Sequence, residues 1–396
     1  MYNSLKFFGD CAIILPLFKG DILRITEVKS KSELKKFVYF PKTLYRDSPN
    51  WAPPIWSDEI KAYDPRRNPV LRNNDYSLIL AYDDSGNLAG RNLIYIDGSF
   101  NSYYKSKTGF FGGFECVNSI EIAASLMEHT EKWLAERGME TIRGPIHPIA
   151  ENWGFLAEGF EHPAIFMSPY NHPYYLDLFS KMKGYEKVKD LIAYMGDSRD
   201  GYMIPERIVE FSRRILEHRP NLTVRRLRAN KIIEDGEHIW RITNESLSDN
   251  WGYVPLERDV FLDMVHKIGP IVDPDAIWFV EDKGTPVAYA FGFPDLNTVL
   301  RKIDGRLFPF GFLSVLFGIK LVRYFRLFGL AVMPGYKRMG LDVLLYINLY
   351  NALRPRGVKL EANYILEDNF SIRNALEKLN LAPIKKFRIF EKSILK

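Results

Sequence analysis

Between residues 32 and 47, apolar side chains return every three or four positions. Leu34, Phe37, Val38 and Leu44 share one face of SELKKFVYFPKTLYRD, which predicts an amphipathic helix. The stretch 231–250 repeats that rhythm at Ile233, Ile239, Ile242 and Leu247. Downstream of each helix the period shortens to that of strands, with strand–turn–strand units at 77–96 and 276–293. Their turns are Ser85-Gly86-Asn87 and Lys283-Gly284. Each half then reads strand, long helix, strand, second helix and closing strand. These lie at 110–117, 121–138, 141–145, 173–184 and 188–195 in the first half, and at 324–332, 338–357, 359–366, 370–379 and 387–392 in the second. Gly138 and Gly357 stand just past the long helices as C-terminal stops. A strand, helix and parallel strand in succession is the crossover of an α/β sheet.

The two halves also share wording. YRDSPNWAPPI (45–55) matches LSDNWGYVPL (247–256), AYDDSGNLAG (81–90) matches VEDKGTPVAY (280–289), and the segments opening at Asn171 and Asn369 correspond. The offsets all lie near 200 residues and keep their order, which indicates one fold present twice. The domains expected are 22–197 and 207–396, joined by a Gly, Asp and Pro-rich linker at 198–206 and preceded by an apolar extension at 1–21. The second copy alone carries an insert, 294–320.

A chain of 396 residues accommodates two cores. Lys and Arg number 24 against 26 Asp and Glu in residues 1–200, and 30 against 23 in 201–396. The basic excess in the second copy suits an anionic ligand, and is too scattered for a nucleic-acid surface. The two cysteines form no CxxC, and HExxH, GxSxG, GxxxxGK and GxGxxG are all absent, so no metal is expected. Two apolar runs, 11–18 and 307–322, are too short or too interrupted to span a bilayer. A cytoplasmic protein is the expectation.

One motif carries chemistry. In VMPGYKRMGLDVLLY (332–346) a strand turns through Pro334-Gly335 into a helix beginning near Arg338–Gly340. The first amides of a helix lack internal partners and, with its dipole, cradle a diphosphate. Gly340 permits close approach, and Lys337 and Arg338 add charge.

This segment resembles the acyl-CoA loop of the GNAT superfamily of N-acyltransferases, with Lys337 where Arg or Gln is usual, Gly340 in the first glycine position and Asp342 in place of the second small residue. EDNFSIRNALEKLNL (367–381) resembles the segment that contacts the pantetheine arm, with Asn369 in the Asn position and Leu376 where many such enzymes carry a tyrosine. Wording across residues 22–396 is similar to a bacterial family of two-domain GNAT-like proteins without assigned substrates. The resemblance implies tandem domains, each a mixed, strongly twisted sheet flanked by helices. It implies acetyl-CoA or another acyl-CoA as co-substrate in the second copy, held by Leu330, Ala331, Val332, Tyr336, Lys337, Arg338, Met339, Gly340, Leu341 and Asn369. The first copy, with Gly112-Gly113 before its turn and no Lys or Arg beside it, is expected not to bind CoA.

The reaction implied is attack of a neutral amine, on a small molecule or a peptide, upon a thioester. Its carbonyl donor is expected at a bulge near Ala331 or Val332, and its base is Glu361, unless that carboxylate merely faces solvent. Tyr364 is an acid candidate only if the strand bulges, because three residues otherwise place it on the opposite face. Trp251 and Tyr253 lie in the loop expected to wall the acceptor, where Trp251 can equally anchor the loop. The insert 294–320 is a roof for the acceptor pocket or an interdomain core. Two alternatives stay open: a non-catalytic acyl-CoA- or protein-binding module, favoured by Asp342 and Leu376, and an aminoacyl-tRNA-dependent transferase.

Overall fold

The computed structural model describes residues 23–148, 152–269 and 272–395, so the extension expected at 1–21 lies outside the described residues. In chain order the strands are β1 (Arg24–Glu27), β2 (Tyr76–Tyr82), β3 (Leu88–Ile96), β4 (Thr108–Cys116), β5 (Thr141–Gly144), β6 (Phe155–Glu158), β7 (Glu186–Asp197), β8 (Leu222–Arg226), β9 (Ile277–Asp282), β10 (Thr285–Pro294), β11 (Tyr324–Val332), β12 (Lys359–Leu366) and β13 (Ala382–Ser393). They form one 13-stranded sheet in the order β1-β2-β3-β4-β5-β13-β7-β12-β11-β10-β9-β8, with β6 pairing β13 off this path.

The two ends of that order are the two repeats. In each, one pair is parallel, β4 with β5 and β11 with β12, joined by a crossover helix, Ile120–Ala135 or Leu341–Leu353. The middle is not what a simple tandem gives. The closing strand of the first repeat, β7, pairs with β12 of the second, and the closing strand of the second, β13, pairs with β5 of the first. The exchanged strands also pair with each other, antiparallel, from Ala382↔Met195 to Glu391↔Glu186. One continuous sheet therefore crosses the boundary that the 198–206 segment marks in sequence.

The cores follow from strand alternation and helix faces. Ile122, Ala123, Leu126 and Leu134 of the first crossover helix pack with Ile79, Ile94 and Phe111. Leu341, Leu344, Leu345 and Leu353 of the second pack with Val280, Ala288, Phe325 and Leu360. The helix Glu206–His218 begins at the end of the segment expected as a linker; ERIVEFSRRILEH buries Ile215 and Ser212. The insert forms two helices, Asn297–Ile303 and Gly311–Gly318. The first is fastened to the first repeat: Arg301 donates to the carbonyl oxygens of Trp51 (3.1 Å) and Ala164 (2.9 Å), Asn297 Nδ2 donates to Ala164 O at 3.0 Å, and Trp56 Nε1 donates to Asp304 O at 2.8 Å.

Candidate active site

β11 and β12 are paired from Tyr324↔Lys359 to Leu327↔Ala362 and separate beyond. The separation is local to both strands. On β11, Phe291 faces Gly329 while Gly292 faces Leu327, which leaves Phe328 as the extra residue of a bulge. On β12, the register against β7 jumps between Ala362 and Ile365. A bulged strand bends and twists away from its neighbour. The bulge expected at Ala331 or Val332 thus sits at Phe328, while Ala331 is paired regularly with Tyr289.

Between the parted strands lies a cleft of about 840 Å³. Leu330, Ala331, Val332, Tyr336, Lys337, Arg338, Gly340, Leu341 and Asn369 all line it, as do Trp251 and Tyr364. Tyr364 reaches it because the β12 irregularity displaces the alternation that would have turned the residue away. Met339 packs instead on the second core, and its carbonyl accepts from Arg219 Nη1 at 3.1 Å. Tyr253 is bound up in structure: its hydroxyl donates to Asn244 and its carbonyl accepts from the Tyr104 hydroxyl at 2.8 Å. The insert does not roof the cleft, since none of its residues is among those lining it.

At one end of the cleft the chain enters the helix Leu341–Leu353 through Gly340, with φ at +77° and no side chain to cap the first turn. Arg338 is also left-handed, with φ at +64°. Alternation of this kind turns successive amides toward one point. The main-chain N–H groups of Arg338, Met339, Gly340 and Leu341 make no hydrogen bond among the described residues. A φ of +77° favours glycine at 340, and a Cβ there would also lie 2.6 Å from the end of the Ile215 side chain in the helix Glu206–His218. Tyr336 anchors the loop by donating to Asp282 at 2.7 Å. Burial raises the Asp342 carboxyl above the usual range, against the opposing pull of the Val343 and Asp342 amides. This carboxyl therefore serves the helix start from within and sets a negative group at the cradle's edge.

At the other end, Glu361 does not face the cleft. It is fully buried, and its carboxylate accepts from Lys385 Nζ (2.8 Å), Asn363 Nδ2 (2.9 Å) and the Tyr324 hydroxyl. Burial lowers the Lys385 ammonium, while Glu361 pulls it back up. Asn363, which holds Glu361, is the member of this group that lines the cleft, and its Oδ1 is buried without a partner among the described residues. Beside it Arg326, fully buried, donates Nη1 to the carbonyls of Phe166 (2.8 Å) and Met167, while Nε and Nη2 find no acceptor among the described residues. Its guanidinium stacks 5.0 Å from the ring centres of both Phe328 and Tyr364. Unsatisfied buried donors and acceptors of this kind are expensive unless a ligand completes them. Sequence reasoning passes over Arg326, Asn363, Tyr324 and Lys385. The signal available is an arginine inside the otherwise apolar YFRLFGLAV.

Two repeats with a parted parallel pair and an uncapped strand–helix turn define the tandem GNAT fold, and known structures agree. The chain aligns with a tandem GNAT protein from the clavulanic acid biosynthesis pathway over 94% of its own length and 99% of the other, with TM-score 0.52 and 12% identity. It aligns with the glucosamine N-acetyltransferase region of a fungal multi-domain β-N-acetylglucosaminidase at TM-score 0.54 and 12% identity, over 94% of this chain and 38% of the other. In sequence it is similar to Protein YghO of Escherichia coli (strain K12), 29% identical over 376 residues, 92% of this chain and 94% of that one. It is also similar to the bacterial ceramide synthase of Caulobacter vibrioides (strain NA1000 / CB15N), 26% identical over 382 residues, 94% of this chain and 98% of that one. No family model matches the chain.

Proposed function

We propose that the protein is an acyl-CoA-dependent N-acyltransferase whose second repeat, 207–396, takes the thioester, and whose first, 22–197, completes the fold without binding it. The observation that carries this reading is the cleft itself, which has unbonded amides at one end and an unpartnered Asn363 Oδ1 at the other, between strands already parted. The amides of 338–341, with Lys337 and Arg338, suit the diphosphate of CoA. The apolar wall of Leu327, Phe328, Leu330 and Ile365 suits the pantetheine arm and an acyl chain. Acetyl-CoA is the first donor to test, with longer acyl-CoAs beside it. A relative in sequence is named a bacterial ceramide synthase, so an amine carried on a long apolar chain is the first acceptor to test.

The thioester supplies an activated carbonyl; the protein supplies orientation. Asn363 Oδ1 accepts from the amine N–H and points the nitrogen lone pair at the carbonyl carbon. Glu361 fixes the Asn363 amide by taking its Nδ2–H, and so is a positioning residue. Arg326, fully buried behind the cleft wall, holds the Phe328 and Tyr364 rings that line it. As the C–N bond forms and the C–S bond breaks, the amine proton passes to cleft water, and Tyr364 gives its proton to sulfur and regains one from that water.

Calorimetry with CoA and a turnover assay with acyl-CoA and a long-chain amine test the reading. Failure to bind CoA at millimolar concentration overturns it. Glu361→Gln keeps the shape but leaves Lys385 without its counter-charge, so stability should fall by about 3–5 kcal/mol. Below the melting range, kcat should fall while KM for the acyl-CoA holds. Unchanged kcat ends the positioning role.

A further inference from the structure

The helix Gly311–Gly318 and the turns on either side of it present an apolar face that the rest of the chain does not cover. Phe308 is 80% exposed, Phe310 72%, Phe317 68% and Leu321 73%, and Phe312, Leu313 and Leu316 are exposed beside them. A patch of large apolar side chains this contiguous marks an interaction surface. Its inner side is firmly seated: Val315 and Ile319 are buried with Leu296, Val299 and Leu300. The preceding helix is fastened to the first repeat through Arg301 and Asn297. The exposed rings therefore stand on a rigid base.

The rim of the patch decides what covers it. From residue 302 to residue 323 the chain carries Lys302, Arg306, Lys320 and Arg323 against a single acid, Asp304. Asp304 is already paired with Lys42. Lys302 and Lys320 are exposed and form no ion pair among the described residues. Protruding phenylalanines flanked in the chain by two exposed, unpaired lysines match a layer that is apolar within and anionic at its surface. Lysines at such a rim lay their stems along the apolar face and keep the charge at headgroup level. No helix among the described residues is long and apolar enough to cross a membrane.

We propose that the outward face of 307–321 is a membrane-docking wedge that enters the interface of an anionic bilayer. This goes beyond the acyl-transfer reading and does not depend on it. The patch lies at the start of β11, and the diphosphate cradle follows the end of the same nine-residue strand, roughly 30 Å away. Docking there leaves the cradle open to water while the cleft stands between membrane and solvent.

Flotation of the full chain with vesicles of phosphatidylcholine and phosphatidylglycerol tests the proposal without any activity assay. Wild type should float with the mixed vesicles and far less with phosphatidylcholine alone. The triple variant Phe308→Ser/Phe310→Ser/Phe317→Ser should lower binding by about tenfold or more. Lys302→Glu/Lys320→Glu should lower it by at least about fivefold at low salt. Because the altered rings face outward, the triple variant should melt at or above the wild-type temperature. Should it fail to fold, Phe310→Trp replaces it, and the fluorescence it adds to that of wild type should shift to the blue on vesicle addition. Three results overturn the proposal: wild type that does not float, a triple variant that floats as wild type does, or an added emission in Phe310→Trp that vesicles leave unmoved. Concentration-dependent dimerisation lost in the triple variant, without vesicle binding, would assign the face to a second copy instead.

Discussion

After β4 the chain enters its crossover helix through Ser119, whose hydroxyl accepts from the Ile122 amide at 3.2 Å; after β11 it enters through Gly340, which has no side chain to offer. The strands beside these turns differ in the same sense. Past β5 the chain stays on β4, with Ile146 N donating to Phe111 O at 2.8 Å. A Cβ on Gly112 would lie 2.3 Å from the Ile146 carbonyl. Phe114 then packs on Phe155 and Tyr175 with ring centres 5.8 and 5.6 Å apart, and Phe155 on Phe179 at 4.9 Å. In the second repeat the corresponding strands part and the space is open. Asn171 spends its side chain on both the N–H and the C=O of Leu156, whereas Asn369 caps a helix at the cleft wall. The same strand–helix–strand crossover thus holds a ligand-sized space or a solid aromatic core according to a few side chains.

The largest test is to fill the second cleft as the first is filled. Leu330→Trp should weaken CoA binding at least about a hundredfold, since the ring takes the space of the pantetheine arm. Its thermal midpoint should move by only a few degrees, as read by calorimetry and a melt. Wild-type affinity in that variant would mean that the ligand lies elsewhere.

The filled side makes a prediction in pH. Glu115 sits among the Tyr45 and Tyr175 hydroxyls with Arg91 3.7 Å away, and burial pushes its carboxyl up to about 7 from 4.5. The native state then holds more protons than the unfolded state between those values. Its stability is full below about 4.5 and is lost as pH rises through about 7. Relative to Glu115→Gln, wild type should lose about 2–3 kcal/mol between the two ends of that window in denaturant melts. Parallel curves for the two proteins would remove the assignment.

A smaller effect belongs to the open side. A charged Asp342 opposes a diphosphate, and burial holds its carboxyl above the usual range. CoA affinity should therefore rise as pH falls through that raised value. Asp342→Asn should bind about tenfold more tightly at neutral pH and lose this dependence. The smallest concerns the caps: Ser119→Ala should cost about 1 kcal/mol and leave CoA affinity unchanged.

Much of the fold is legible because hydrophobic period and repeat offset are properties of the chain itself. The spans 324–332 and 359–366 read from alternation are those of β11 and β12. The helix Glu206–His218 is also written in its sequence, with Ile208, Phe211 and Ile215 at helical spacing, but the Gly and Pro-rich linker beside it masks where it begins. The pairing of β13 with β5 is not legible, because an apolar closing strand fits either sheet equally well. Within the site, Lys337 to Leu341 can be read from a local turn, whereas the Glu361–Lys385–Tyr324 cluster joins three strands and appears only once they are assembled. Glu361 looks available for catalysis because sequence does not reveal what a buried carboxylate is already holding.

The exchange of closing strands has a consequence for synthesis. While the ribosome is still making the second half, β5 has no neighbour on its outer edge, because that neighbour is β13, at residues 382–393. An unpaired edge invites wrong partners until it is covered. The sheet of the amino-terminal half is thus completed only by residues 382–393, and a nascent chain stalled before them carries an open edge.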